Sequence, residues 1–580
     1  MPLLLEHPEV PESVEATVWQ HYWQIIALHW PVLLRATLPV VNGQPRVDRN
    51  RQPLLYNAIL ALAAKIWDSD RDGQLPVILD NQGKPLTIDT LSDLYASRAR
   101  FWLLRTDNEP SIEVAQALVL MSLRESGQGR SSSGAQYSMS ACRVALDIGL
   151  HRNLRTRDQP SEERQARLRL FWCIYILDKT NAAMLGRPCV LRYSESDAPF
   201  FGFEGPEESD PWLATSDMTP GARWLTGQPP RSLSHLLAGC RLAIICEDIF
   251  AQYNVLRSSS DSKVASAPSS TATWDSAVVA RLHKRLDEWH QTLPDFLQVQ
   301  SQGPTFQHFL CQHMWWNVLR IILHRPYILK QHPEGSEVPC SHTVCTEAAI
   351  EVSRLVSLYK HQHGAKKLSG TIVYCVFTAG TILLANTTSP DAGTAREAQM
   401  RLRQVTEHLG AISGTWTSAS LQLTILRHLG ECLEADLTGT GLERVSRPAD
   451  GRGGPDGARA EGASGYRGAD PRGVGEGTAF AGHNAAMSDM GSNSSNMPAP
   501  FSGGGAGSGA SIDGADIAGN VQSARSSLPQ DRFFEIHDAD YWGQMPLSSE
   551  NGEAWAHFTA RYLESLNSAS AAAGTSPTKM

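Results

Sequence analysis

At 580 residues, with 42% apolar side chains and 15 tryptophans, the chain is long and apolar enough to bury a large core, and its length is that of about two to four domains. Its net charge of -9 argues against a broad phosphate-gripping surface, because non-specific nucleic-acid affinity comes from Lys and Arg neutralising phosphates. No apolar run reaches the roughly 20 residues of a membrane span. The opening MPLLLEHPEVPESVEA has neither a basic start nor a small-residue cleavage site, so the chain reads as soluble and intracellular. Ten cysteines, at 142, 173, 189, 240, 246, 311, 340, 345, 375 and 432, include no C-x-x-C pair. Several fall inside apolar helical patterns, which predicts reduced thiols acting as small hydrophobes.

Helical periodicity dominates from about residue 14 to 437, and the fold class is all-α. Leu55, Ile59, Leu62 and Ile66 recur at i, i+4, i+7 and i+11; Cys311, Trp315, Val318 and Ile322 repeat the pattern, widened by Leu310, Met314 and Ile321. Further helices are predicted at 14–29, 91–105, 111–125, 133–148, 162–185, 233–256, 275–292, 343–360, 371–386 and 395–433. Strand-like alternation is limited to LPVIL near 75. The Gly/Pro/acid-rich stretch 202–231 and the Ser-rich 258–273 read as mobile loops. A segment from about 438 to 530, rich in Gly and Ser and poor in large apolar residues, cannot bury enough surface to offset its ordering entropy and is expected to be disordered. After it, FFEIHDADYW (533–542) and a short amphipathic stretch, NGEAWAHFTARYLESL, make an acidic-aromatic interaction segment at 531–567.

The most informative stretch is RLFWCIYILDKTNAAMLGRP, residues 169–188. The helix it belongs to is predicted to start at Ser161, an N-cap, with Glu162 and Glu163 favourably placed against the helix dipole. From Leu170 to Leu177 it is apolar on every side, which marks a helix surrounded by others. Asp178 and Lys179 follow at the edge of that core. A carboxylate there requires a partner, for which Arg143, His151 and Arg187 are the candidates. Gly186 permits a positive-φ stop, and Pro188 prevents continuation. The preceding SSSGAQYSMSACRVALDIGLHRN (131–153) has the same grammar: Ser131 to Ser133 offer a cap, Met139, Cys142 and Leu146 form the expected core stripe, and Gly149 supplies the stop.

ACRVALDIGLHRN followed by EERQARLRLFWCIYILDKTNAAMLGRPCVL resembles the signature of the fungal-specific transcription factor domain, the middle homology region of fungal zinc-cluster regulators. That signature reads A-x-x-LGLHR, then E-x-R-R-R-x-FW-x-x-Y-x-LD-R, then GRP; here Ile148 and Lys179 replace the usual Leu and Arg. HYWQIIALHWPVLL (21–34), PLLYNAILALAAKIW (53–67) and NVLRIILHRPYI (317–328) resemble other segments of the domain. The resemblance implies a regulatory domain over 14–330 with a helical continuation of the same body over 331–437. It also implies nuclear localisation, RNA polymerase II transcription, coactivator or corepressor partners, and homo- or heterodimers.

Members of this family usually carry an N-terminal C-x2-C-x6-C repeat, in which six thiolates hold two Zn²⁺ and present a helix to the major groove. No cysteine precedes Cys142, so zinc is expected only through a missing cluster, and DNA contact only through that module. Met1 lies some twenty residues before the domain's opening helix, which favours a truncated product over genuine loss. A DNA-independent helical protein acting as partner or dominant-negative of intact regulators is the second reading.

Chemistry beyond this is not indicated. Cys340, His342 and Cys345, or Cys311 and His313, fit no structural zinc spacing. His21 and His29 read as core or boundary histidines. The motifs G-x-S-x-G, G-x-x-x-x-G-K-[ST] and H-E-x-x-H are absent, and GGGAGSG (503–509) follows no strand. Trp315-Trp316 and Phe171-Trp172 read as core aromatics rather than pocket walls. No catalytic, cofactor-binding or metal-ligating residue is assigned, and an enzyme is not expected.

Overall fold

The computed structural model describes residues 8–443 apart from 107–108, 154–160, 204, 215–217, 261–275, 300–302, 329–337, 367 and 434. The disordered linker expected beyond 438 is thus covered only to 443, and the interaction segment at 531–567 lies outside the described residues.

The chain is a succession of helices whose ends follow local chemistry. The first, α1 (Glu12–His21), runs through a π-helical turn, Tyr22–Ile26, into Ala27–His29. Then come α2 (Pro53–Ala63), α3 (Ile88–Leu103), α4 (Ile112–Gly127), α5 (Ser131–Asp147) and α6 (Ser161–Leu185). The later half comprises α7 (Ser232–Ser260), α8 (Ser276–Gln291), α9 (Gln307–His324), α10 (Ser341–His363), α11 (Thr371–Asn386), α12 (Ala392–Ser413) and α13 (Thr417–Cys432). Thr87 and Thr90 form a reciprocal capping box at α3, and Ser111 accepts from the Val114 N–H at α4. Gly149 and Gly186 stop α5 and α6 at φ +70° and +58°, where a side chain would be strained.

In the first half α2 packs on α3 and α4, α4 on α5, and α5 on α6; in the second α9 packs on α10, α10 on α11, α11 on α12 and α12 on α13. The halves join where α6 meets α7 and where α11 meets α4. Two helices are immersed in the resulting core. In α11 every residue from Ile372 to Asn386 except Thr381 is buried, and in α6 every residue from Leu168 to Leu185 except Ile176 and Met184. Each fully buried Leu, Ile, Val or Phe contributes about 1.5–3 kcal/mol, so these helices are held by packing rather than by propensity. One continuous buried cluster runs from Val14 to Leu442.

Several expectations need correction. LPVIL (75–79) is no strand: only a single bridge, Leu79 with Pro85, forms there, and of the exposed Val77, buried Ile78 and exposed Leu79 only one side chain faces a core. A small hairpin pairs β1 (Val40–Val41) with β2 (Gln44–Pro45) instead, turned by Asn42 and Gly43, both at positive φ. Helix 395–433 is two helices, broken at Gly414–Trp416 so that Trp416 can adopt extended backbone and enter the core. Ser131 to Ser133 give α5 no side-chain cap, and Arg130 holds that position. The loop at 202–231 is pinned where it is described, because Glu207 and Glu208 are buried as hydrogen-bond acceptors and Trp212 enters the core. Met139 points to solvent, while Gly134, Ala135, Ser138, Ala141 and Cys142 face inward.

Candidate functional site

The C-terminal third of α6 carries the buried charges of the LDK stretch, and the structure shows what holds them. The Asp178 carboxylate accepts from the backbone N–H groups of Val190 (3.0 Å to Oδ1) and Leu191 (3.0 Å to Oδ2), so it fastens the extended chain that follows the GRP turn. Lys179 Nζ lies 2.9 Å from Asp178 Oδ2 and 3.0 Å from Glu247 Oε2 of α7, and it donates to the Leu191 carbonyl. It also sits 4.1 Å from the Tyr175 ring centroid. Glu247 accepts from Tyr175 Oη at 2.6 Å and from the Tyr193 N–H at 3.2 Å. One ammonium therefore faces two carboxylates, and the surplus negative charge is met by a phenol and three backbone donors. Burial lowers the Lys179 pKa, but Asp178, Cys189 and Glu247 outweigh it and hold the ammonium above its usual range.

None of the three candidates predicted for Asp178 is its partner. Arg143 pairs with Asp147 at 2.9 Å. The His151 backbone carbonyl accepts from Ser196 and from the Asp197 N–H, and the Arg187 N–H bonds the Ala182 carbonyl. The reason is geometric: after Gly186 the chain doubles back along α6, bringing its own N–H groups to the carboxylate before any distant arginine reaches it. Glu247 was missed altogether. Its signal was the Glu247–Asp248 pair of carboxylates, LAIICEDIF, inside an otherwise apolar helical run.

A second ion pair extends the lattice, with Arg169 Nη1 3.2 Å from Glu207 Oε2 while Glu207 Oε1 accepts from the Arg35 N–H at 2.8 Å. Trp172 donates from Nε1 to the Pro199 carbonyl and stacks on Phe200 at 4.7 Å. Phe171 and Trp172 are buried, Trp316 donates to the Leu286 carbonyl, and Trp315 packs partly buried near Tyr374; none forms a ligand wall.

Histidines fill an adjoining part of the core. His29, His235 and His308 meet edge to face, with centroids 4.8–6.4 Å apart. His29 Nδ1 is 2.9 Å from the Ile25 carbonyl and Nε2 3.2 Å from Cys311 Sγ; His308 Nε2 is 2.8 Å from the Pro230 carbonyl. Burial brings His29 down to about 4 and His235 to about 3. These rings are neutral at physiological pH and act as packed, hydrogen-bonded core groups. His21, by contrast, lies 3.2 Å from Asp72, both fully buried. A cavity of about 30 Å³ touches His29, Ile25, Leu62, Leu123 and Trp416. That is room for a water or two, whereas organic ligands occupy pockets of roughly 300–1,000 Å³.

The zinc implied by the resemblance has no fitting donor set here. Among the described residues no group of three or more His, Cys, Asp or Glu is placed to hold a metal ion. Cys340 is exposed, Cys345 is buried and turned to the Ile321 carbonyl, and His342 bonds Asn386. His313 meets the Leu297 carbonyl.

The described residues thus form a helical body organised around a buried ionic lattice. Residues 19–291 match the family described as the fungal specific transcription factor domain. The chain is 30% identical over 381 residues to the nitrogen assimilation transcription factor nirA of Emericella nidulans, covering 64% of this chain and 40% of that protein. It is 28% identical over 404 residues to the nitrogen assimilation transcription factor nit-4 of Neurospora crassa, covering 68% and 34%, and 25% identical over 373 residues to the acetamidase regulatory protein of Emericella nidulans, covering 62% and 41%. The matched part spans well under half the length of these relatives. All three are named as transcription factors or regulatory proteins.

Proposed function

We propose that this chain is the regulatory and effector body of a fungal transcription factor, acting in the nucleus on RNA polymerase II transcription. DNA contact is made by a zinc-cluster module that these 580 residues do not contain. The observation that carries the reading is the match of residues 19–291 to the family domain, whose recognised stretch coincides with the buried α6 lattice. Nitrogen-source genes are the first targets to examine, because two of the relatives are named for nitrogen assimilation. The test is deletion of the gene in its own fungus, with transcript profiling across a shift from ammonium to nitrate and imaging of a tagged copy. Unchanged transcripts under every nitrogen and carbon shift, or a protein that never enters the nucleus, would end the proposal.

The second reading is a helical partner that regulates without touching DNA, favoured by the net charge of -9 and the absence of cysteine before Cys142. Both readings expect the purified 580-residue chain to show no sequence-dependent duplex binding tighter than about 10⁻⁷ M, since specific sites commonly lie at 10⁻⁸ to 10⁻¹¹ M. Chromatin precipitation separates them: a chain recovered at promoters only when an intact regulator is present is a partner.

A further inference from the structure

The end of α3 and the turn after it, SRARFWLLRT (97–106), carry three arginines, none of which forms an ion pair with a described carboxylate. Several surface arginines pair within their own helix, as Arg143 does with Asp147, Arg354 with Glu351 and Arg403 with Glu407. At the end of α3 the positions four residues away from Arg98 and Arg100 are Leu94 and Trp102, and Ala96 and Leu104, so no such pair can form. Arg98 donates to the Pro8 carbonyl and Arg100 to Ser97 Oγ. Arg105 lies 4.1 Å over the Phe101 ring and 5.9 Å from that of Trp102, whose rings meet edge to face at 5.6 Å. Leu104 is 84% exposed beside them. The result is a ledge of aromatic and apolar groups carrying three arginines, of which Arg98 also feels the charge of Glu15, on a chain whose net charge is negative.

An occupant for this ledge must bring aromatic side chains and several carboxylates in a short span. FFEIHDADYW (533–542) places Phe533, Phe534, Ile536, Tyr541 and Trp542 around Glu535, Asp538 and Asp540, matching three arginines with three acids. It is joined to the described body through residues 444–532, rich in Gly and Ser. A random coil of about 90 Gly/Ser-rich residues spans on the order of 50 Å, against a radius of gyration near 22 Å for a folded body of about 436 residues. Every face is within reach, and a tether of this kind supplies an effective concentration approaching the millimolar range. We propose that the Arg98–Arg105 face of α3 and the turn after it is the docking surface for the chain's own acidic-aromatic segment, 533–542.

The test uses the full chain with the photoreactive residue benzoylphenylalanine in place of Leu104, irradiated and digested, with cross-linked peptides mapped by mass spectrometry. The expected product joins position 104 to a peptide within 531–545 at monomer mass. Its yield should fall about fivefold or more in Arg98→Glu/Arg100→Glu/Arg105→Glu and return when Glu535→Arg/Asp538→Arg/Asp540→Arg is added. Arg100→Glu/Arg105→Glu, which spares the Arg98 bond to Pro8, serves if the triple variant misfolds. A cross-link at dimer mass, one confined to other peptides, or a yield indifferent to charge reversal overturns the proposal.

Discussion

Replacing Lys179 with Met isolates the charge at the centre of the α6 lattice, because Met keeps nearly the same length and fills the same apolar channel. Lys179 is 1% exposed, so water cannot take over its role. The change leaves Asp178 with its two backbone donors, Glu247 with the Tyr175 hydroxyl and the Tyr193 N–H, and the Leu191 carbonyl without its ammonium. Removing one partner of a buried pair costs about 3–5 kcal/mol. The surviving donors draw the figure toward the lower end, while the orphaned carbonyl raises it by roughly 1 kcal/mol or more, so the expected loss is about 3–4 kcal/mol. Urea unfolding followed by tryptophan fluorescence reads it as a lowered midpoint. Adding Glu247→Gln should cost less in the Lys179→Met background than in the parent, by about 1–3 kcal/mol, because the two side chains share one interaction. The pH dependence has a definite sign: with the folded pKa raised, the contribution is complete below the ordinary lysine value and disappears as pH climbs through the folded one. A Lys179→Met protein within 1 kcal/mol of the parent would refute the lattice as a source of stability.

Trp416→Ala should cost about 3–5 kcal/mol, since the indole is buried and donates to the Leu368 carbonyl at 2.7 Å. Gly127→Ala should cost about 1–3 kcal/mol by overpacking, because a Cβ there would lie 2.6 Å from Trp416 Cζ3; an unchanged melting temperature would show that the ring has room to move. Phe171→Ala and Trp172→Ala, each 1% exposed, should each lose about 3–5 kcal/mol in thermal melts, and melts within a degree of the parent would contradict the central-helix assignment. Acid should destabilise the fold: burial holds His29, His313 and His363 at about 4 and His235 at about 3. Between those values and 6.5 the unfolded chain binds more protons, and stability falls with pH by up to about 1.4 kcal/mol per unit for each ring. A melting temperature that stays flat from pH 7 to 5 would place these rings in water.

The helices were legible because their signals are local. Caps, glycine stops and the apolar run of α6 lie within a few turns of the residues they govern. What escaped depended on distant neighbours. The break between α12 and α13 exists because Trp416 enters a space beside Gly127 and Gly370, both distant in the sequence. The inward face of α5 is its small-residue face, not the Met139 stripe, because α4 and α5 pack so closely that a Cβ on Gly134 would overlap Ser126. Periodicity ranks faces by hydrophobicity, whereas close helix contact selects for size, and at α5 size decides. Asp178 failed for a similar reason: a search for basic side chains overlooks the backbone N–H, the donor nearest to a helix end.

The residues that carry the family likeness are mostly buried ones. In RLFWCIYILDKTNAAMLGRP, Phe171, Trp172 and Tyr175 pack the core, Asp178 anchors the returning chain, Lys179 links α6 to α7, and Gly186 turns the corner. Apart from Gly186, which is half-buried, the residues of that set are closed to solvent. A likeness written in such residues identifies a scaffold, and two chains can share it while answering to different signals. Specificity then has to reside where the scaffold leaves groups unsatisfied, and on this chain the arginine ledge at the end of α3 is such a place. Arg100, Leu104 and Arg105 there are exposed, so they can change between relatives without disturbing the core beneath them.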